Sequence, residues 1–410
     1  MKIKFKYLLN PIYIIIMQYI LILIIYNKLD LKDVYIVKYI TYPIIIYLLV
    51  SIIIKSCNLK YLTNNRKLNY SKMLTYCDNY AVRIFLFVIN LIVLLSDIQL
   101  LGRIGFSLKN INSAIIWDIQ TNASTLEMLG NYVIVLSPII NSILHFHSDK
   151  VYYKLLFWIY NILLIIYSFI SGKRILIILA IAPIIVVKYY NKKFDLRLLK
   201  KIILIIVSVV ILFTLNQSIK NQDNKFKNNI NAINNYFTKS MENGLRIINW
   251  RYGGINPYYW TLYRHLLSIP KHELLGINEN NLPNIPIHTR EDDFLYSYNM
   301  GLGSTYNTFS IFGYSYLDFG FSGVLIIATN FIVIQIIYYF FINKGGIYIY
   351  IYPVFYICLL DDIIANGIFS ARILYLLIGI GIILILNLFG KITFNRRNLK
   401  NEGFNKENFN

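Results

Sequence analysis

The chain has 410 residues, 57% of them hydrophobic and only 15% charged, and carries a net charge of +20. A soluble domain of this length carries more charge and shorter apolar runs. A basic excess points to nucleic acid in a soluble protein, but here the basic residues gather between apolar runs, as expected of cytoplasmic loops in a membrane protein. Nucleic-acid binding is therefore not expected. The apolar runs are long enough to cross a hydrocarbon core of about 30 Å as helices. The alternation of a membrane β-barrel is absent.

Lys2, Lys4 and Lys6 precede the first apolar run. No small-residue cleavage site follows it and further runs come after, so it reads as a retained first span. The spans are expected near 8–26, 37–54, 81–101, 129–146, 154–170, 175–187, 202–215, 322–341, 347–360 and 373–390. The expected fold class is all-α: a polytopic integral membrane protein of about ten transmembrane helices. Its organisation is 1–215 as spans one to seven, 216–321 as a large external loop with interfacial helices, 322–390 as the last three spans, and 391–410 as a basic tail.

Orientation follows from lysine and arginine. With the N-terminus in the cytoplasm, 55–80 holds Lys55, Lys60, Arg66, Lys67 and Lys72. The segment 188–201 holds Lys188, Lys192, Lys193, Arg197, Lys200 and Lys201, and the tail adds Arg396 and Arg397. The short outer segments hold few basic residues, so both termini are expected in the cytoplasm. The outer side then receives the long loop.

That loop is rich in aromatics, unlike a disordered tether. Trp250, Tyr252, Tyr258, Tyr259, Trp260 and Tyr263 stand among Arg246, Arg251 and Arg264. Aromatic faces suit sugar rings, and the arginine fork meets phosphate oxygens at two points. The same pattern also suits an interfacial helix, with aromatics at the headgroups and arginines on lipid phosphates. Ser171-Gly172-Lys173-Arg174 forms a second cationic site, where an apolar stretch too long for one span must turn back. Here Arg174 meets a lipid diphosphate or simply snorkels.

His265, His272 and His288 lie in the loop and offer a general base. No metal spacing accompanies them, and Cys57, Cys77 and Cys358 form no metal motif. Glu291-Asp292-Asp293 reads as a solvated acidic turn rather than a cation site. The loop leaves through Asn307-Thr308-Phe309 to Asp318-Phe319-Gly320 and enters a span. Asp318 is expected at the membrane face, where a carboxylate is costly unless paired, and a loop arginine is the expected partner. Asp361, Asp362 and Arg372, at the next outer hairpin, either face the same cavity or cap span ends.

Taken together, the chain resembles the O-antigen polymerases (Wzy-type oligosaccharide repeat-unit polymerases) of bacterial envelopes. Four features carry the likeness: about ten isoleucine-rich spans, one large external loop in the second half, the Ser171–Arg174 turn, and the loop exit from Asn307 to Gly320. Arg290 and Gly301 match an Arg-to-Gly spacing found in loops of some members. A second large loop, common in the family, is lacking: the outer segment 102–128 is modest.

The resemblance implies a GT-C-like helix bundle in the bacterial inner membrane and a glycosyl transfer on the periplasmic face that needs no metal and no cofactor. Donor and acceptor would both be oligosaccharides on undecaprenyl diphosphate, with surrounding membrane lipids and a chain-length regulator as partners. Arg174, Arg251, Arg264 and Arg290 would stabilise the departing diphosphate. Asp318 or His288 would serve as base, and Trp250, Tyr259 and Trp260 would stack on sugars. An O-antigen ligase, which transfers the chain to lipid A core, is the nearest alternative. A non-enzymatic polysaccharide flippase or transporter is another, though loops this long are uncommon without a purpose.

Overall fold

The computed structural model describes residues 4–56, 80–104, 124–133, 175–190, 192–221, 226–251, 308–343, 345 and 348–362, with parts of 151–166 and 373–386. About 90% of this is helix, with no strands. The helices are α1 (Phe5–Leu8), α2 (Pro11–Lys28), α3 (Val34–Ser56), α4 (Tyr80–Ile104), α5 (Thr125–Val133), α6 (Ile175–Tyr189), α7 (Leu196–Asn221), α8 (Phe226–Asn249), α9 (Ser310–Phe319), α10 (Gly323–Asn343) and α11 (Tyr348–Asp361). Three apolar stretches among the described residues are long enough to cross a membrane: Phe5–Lys28, Val34–Ser56 and Ser310–Asn343.

Local sequence explains the boundaries. Pro11 opens α2, and Asn10 caps it by accepting from the Ile12 amide at 3.1 Å. Proline suits that position because its missing N–H has no helical partner there. At 1.5 Å per residue, the 18 residues of α2 run about 27 Å, close to a hydrocarbon core. The helix ends in a Schellman motif: the amides of Asp30 and Leu31 bond back to Asn27 and Tyr26, with Asp30 at φ 48°. Ser124 and Glu127 form a capping box at the start of α5. Glu127 also pairs with Arg103 of α4 at 2.7 Å, tying these two helices together.

α10 is the centre of the bundle and packs against α2, α3, α9 and α11. Phe331, Ile334 and Phe341 of α10 are almost fully buried, as are Ile15, Ile22, Tyr39 and Tyr352 around it. The outer faces stay apolar: Ile16, Ile20 and Ile24 of α2 and Leu49, Ile52 and Ile53 of α3 are exposed. A helix apolar all round has either protein or lipid on every side. The exposed isoleucines suit a lipid surrounding.

Several polar side chains inside the bundle join helices. Tyr47 of α3 donates to Gln335 of α10 at 2.7 Å. Asn330 of α10 donates to Asp362 at 2.7 Å, and the Asp362 carbonyl accepts from the Ile311 amide at 2.9 Å. Gln18 of α2 donates to the Leu359 carbonyl. In lipid such bonds average roughly 0.6 kcal/mol each, so they set register more than stability.

The bundle has two distinct ends. At one, Phe5 donates to Lys192 at 3.0 Å, Tyr190 donates to the Phe341 carbonyl at 2.6 Å, and Lys6 donates to Ile342 at 2.9 Å. The sequence assigns 1–7 and 188–201 to one side of the membrane, and the fold brings them together beside Phe341 and Ile342. At the other end, the α2–α3 connection meets the C-terminus of α8.

The long loop begins and ends as helix in the described residues. α7 continues to Asn221, and α8 starts at Phe226. The C-terminal half of α8 buries Met241, Leu245 and Ile248 against α9. The segment from Ser310 to Asp318, which the sequence assigns to the loop, is buried throughout within the bundle. The backbones of α8 and α9 touch because both carry glycine at the crossing. A Cβ on Gly313 would lie 2.8 Å from the Gly244 Cα and 2.8 Å from the Phe309 Cβ. Thr308 anchors the same crossing, bonded to Ser240 at 2.5 Å and through its carbonyl to Asn243 at 3.2 Å.

Gly313→Ala should lower stability by about 1–3 kcal/mol through overpacking. Thermal unfolding of the purified protein in detergent checks this, and a midpoint equal to that of the native chain would refute the crossing. A second check uses Glu242, on the outer face of α8. Burial alone would raise its pKa, but hydrogen bonds and charge from Lys239 and Arg246 outweigh that and hold it below the usual carboxylate range. Its contribution to stability is therefore complete above the ordinary carboxylate pKa and lost as pH falls through the lowered folded value. Glu242→Gln should flatten that part of the acid-unfolding curve.

Candidate functional site

The site lies where α8 ends against the α2–α3 turn. Arg251 follows the last turn of α8 and its amide donates to Ile248 at 3.2 Å. Its φ is 60°, the left-handed region that glycine normally fills after a helix. A non-glycine residue there costs on the order of 1 kcal/mol. The conformation aims the guanidinium across the turn, where two contacts hold it.

The first contact is Asp33. Its Oδ2 accepts from the Arg251 Nη2 at 2.5 Å, while its Oδ1 caps α3 by accepting from the Tyr35 amide at 2.9 Å. One carboxylate thus starts a membrane helix and fixes a loop arginine. The second contact is the Tyr35 ring, whose centroid lies 3.4 Å from the guanidinium carbon. A cation over an aromatic face is stabilised by the ring quadrupole by roughly 0.5–2 kcal/mol. Together the two contacts offset the backbone strain.

Beneath Arg251 the aromatic side chains form a continuous shelf. The Tyr35 and Tyr316 hydroxyls are 3.2 Å apart. Tyr39 packs edge-on to Tyr316 at 5.1 Å, and Phe321 lies 5.1 Å from Tyr35 and 5.9 Å from Tyr42. Phe321 is partly exposed, whereas Tyr39 is fully buried and donates to the Phe312 carbonyl at 3.3 Å. The shelf therefore runs from the surface into the bundle. Gly323 allows its closure, since a Cβ there would strike the Tyr39 hydroxyl and the Ser315 carbonyl.

Asp318 is 1% exposed, on the last turn of α9 and within electrostatic reach of Tyr39. It is enclosed by the bundle. Arg251 pairs with Asp33, and the other loop arginines considered as partners of Asp318, Arg264 and Arg290, lie outside the described residues. Asp362 is fully buried at the opposite end of α9 and joins α9, α10 and α11 rather than lining the shelf.

Of the residues singled out in the sequence, Arg251 and Asp318 belong to this end of the bundle. Trp250 is half-buried and packs on the hydrophobic core. Arg174, Tyr259, Trp260, Arg264, His288 and Arg290 lie outside the described residues, as do Glu291–Asp293 and Arg372. The sequence reading did not select Asp33, Tyr35, Tyr42, Tyr316 or Phe321. A signal for Asp33 was present: an Asp preceding an apolar helix marks a cap.

Arg251 keeps 44% of its side chain exposed. A guanidinium has five N–H donors, so the bond to Asp33 leaves some directed at solvent. The arrangement can bind an anion beside a ring-shaped, partly apolar group. No protein family, characterised protein or solved structure matches this chain.

The double role of Asp33 can be separated by substitution. Asp33→Asn keeps a cap acceptor and removes the charge, and should change stability by at most about 1 kcal/mol because the pair is half-exposed. Asp33→Ala also loses the cap and should cost about 1 kcal/mol more. Equal unfolding midpoints for the two variants would show that the cap contributes nothing.

Proposed function

We propose that this protein is a membrane glycosyltransferase that joins lipid-diphosphate-linked oligosaccharide repeat units into a polysaccharide. The observation that carries the reading is Arg251, held in a strained left-handed conformation above an aromatic shelf with donors still exposed. Strain of this kind persists where the surroundings over-determine it and tends to cluster at functional sites. An arginine beside sugar-sized aromatic faces suits a substrate with a diphosphate at one end and sugars at the other.

In this reading an acceptor hydroxyl attacks the anomeric carbon of the donor chain. The bond from that carbon to the diphosphate oxygen breaks, and the lipid diphosphate leaves with the electron pair. Arg251 stabilises the charge that develops there, which is most effective where water is scarce. To do so its fork turns from Asp33 to the diphosphate. Tyr35, Tyr42 and Phe321 offer faces to the sugar rings. Asp318, deeper on the same end, takes the hydroxyl proton. Arg174, Arg264, Arg290 and His288 complete the proposal, with further cations for the diphosphate and a second candidate base. Tyr259 and Trp260 add further sugar faces.

The positive-inside rule supports the cytoplasmic assignment of the Lys4–Lys192 end and sets Arg251 on the periplasmic face of a bacterial inner membrane. The donor and acceptor lipid is then undecaprenyl diphosphate.

The test is the envelope polysaccharide ladder of a deletion strain. Loss of long chains with a single repeat unit still attached to the core is the expected result. Loss of even that unit would replace the polymerase with a ligase, and loss of exported lipid-linked units would replace it with a flippase. Arg251→Ala should slow chain growth about 10²- to 10³-fold, by the cost of removing one oxyanion donor. Arg251→Lys should also be impaired, since lysine has no planar fork. Normal ladders from both variants at native membrane levels would refute the role of Arg251.

A further inference from the structure

The opposite end of the bundle carries an arrangement that the proposed reaction does not use. Lys4 and Lys193 face each other across an antiparallel backbone bridge, and Phe5 donates to the Lys192 carbonyl beside it. Residues directly opposite in such a pair project to the same side, so two lysines there repel. Both are exposed. Nearby, the amino groups of Lys188 and Lys192 lie 5.9 and 5.8 Å from the centroid of one ring, Tyr189, which Phe5 holds in place edge-on. The fold has thus set two lysines beside one buried ring and two more across the adjoining backbone bridge. Lys6 is not part of this surface, because it is turned inward to the Ile342 carbonyl.

Among the described residues, no ion pair joins the neighbouring acid, Asp195, to this cluster. Asp195 spends an oxygen on capping α7, accepting from the Leu198 amide at 2.7 Å. Next to it is a groove of about 550 Å³ lined by Phe194, Asp195, Leu196, Arg197 and Leu199. That volume falls in the range of small-molecule sites. Its lining is mostly apolar with one arginine, and Leu196 is 75% exposed. A cationic cluster therefore adjoins an apolar groove at the end of membrane-crossing helices.

We propose that this end binds the headgroup of an anionic phospholipid. Arg197 and the lysines hold the phosphate, and Leu196 and Leu199 line the start of an acyl chain. A bound anion turns the Lys4–Lys193 repulsion into a shared attraction and so fastens the N-terminal segment to the start of α7. Basic pockets between membrane helices recognise anionic headgroups in this way.

The test uses the purified full-length chain in nanodiscs made from equal parts of phosphatidylglycerol and phosphatidylcholine. The lipids retained after detergent extraction are counted by mass spectrometry. The native chain should enrich phosphatidylglycerol severalfold. Lys193→Gln or Arg197→Gln should each lower that enrichment about fivefold, while Lys32→Gln, an exposed lysine at the far end, should leave it unchanged. Equal retention of the two lipids, or an equal loss in Lys32→Gln, overturns the proposal.

Salt titration of the native chain tests the same point independently of how the variants fold, because enrichment must fall as ionic strength rises. If inorganic phosphate displaces the lipid far better than chloride at matched ionic strength, the groove is a free-phosphate site and the lipid assignment fails.

Discussion

With no side chain at Gly244 or Gly313, α8 and α9 approach until their backbones touch. The contact locks the last half of α8 to the segment that re-enters the bundle. Ser310, at φ 54° and fully buried, turns the chain into that crossing. The position of Arg251 follows from it, since two residues after α8 ends the chain has reached the α2–α3 turn. The position of Asp318 follows as well, since it is carried on the last turn of α9. A larger residue at either glycine would separate the arginine from the aromatic shelf and the carboxylate below it.

The second constraint is the scarcity of water along the helices. Each polar side chain inside the bundle needs a partner, and the pairs observed run between helices: Tyr47 with Gln335, Asn330 with Asp362, and Gln18 with Leu359. Asp33 sits at the edge of that region. Half in water, it bonds the Tyr35 amide of α3 on one side and the guanidinium on the other. Its exposure keeps the Arg251 pair weak enough to exchange for another anion, which a buried pair would resist. The proposed chemistry depends on that difference.

The two ends of the molecule divide the charge. Lysines collect around Tyr189 at one, and a single arginine is fastened over Tyr35 at the other. The first is a diffuse attraction suited to a lipid surface. The second is a fixed, directional donor suited to one chemical group.

Much of the scaffold was legible in the sequence. Uniformly apolar runs in α2, α3 and α10 have no solution in lipid other than a helix, so their existence followed from composition alone. The lysine pattern grouped 1–7 with 188–201, and the fold brings these segments together. Arg251 and Asp318 were also picked out, as a cation and an acid that needed a reason to be there. Their surroundings were not legible. Asp33 lies 218 residues from Arg251, and Tyr35, Tyr42, Tyr316 and Phe321 look like ordinary interfacial aromatics until the α8–α9 crossing draws the loop onto them. The buried path from Ser310 to Asp318 was hidden for a similar reason: serine, glycine and tyrosine read as a polar exit, and only packing against α8 shows that every one of them is enclosed. By itself the sequence determined a helical membrane protein with a sidedness of charge, because local hydropathy decides what can enter lipid. Only the tertiary structure decided which carboxylate the loop arginine meets, because that choice depends on contacts between residues far apart in the chain.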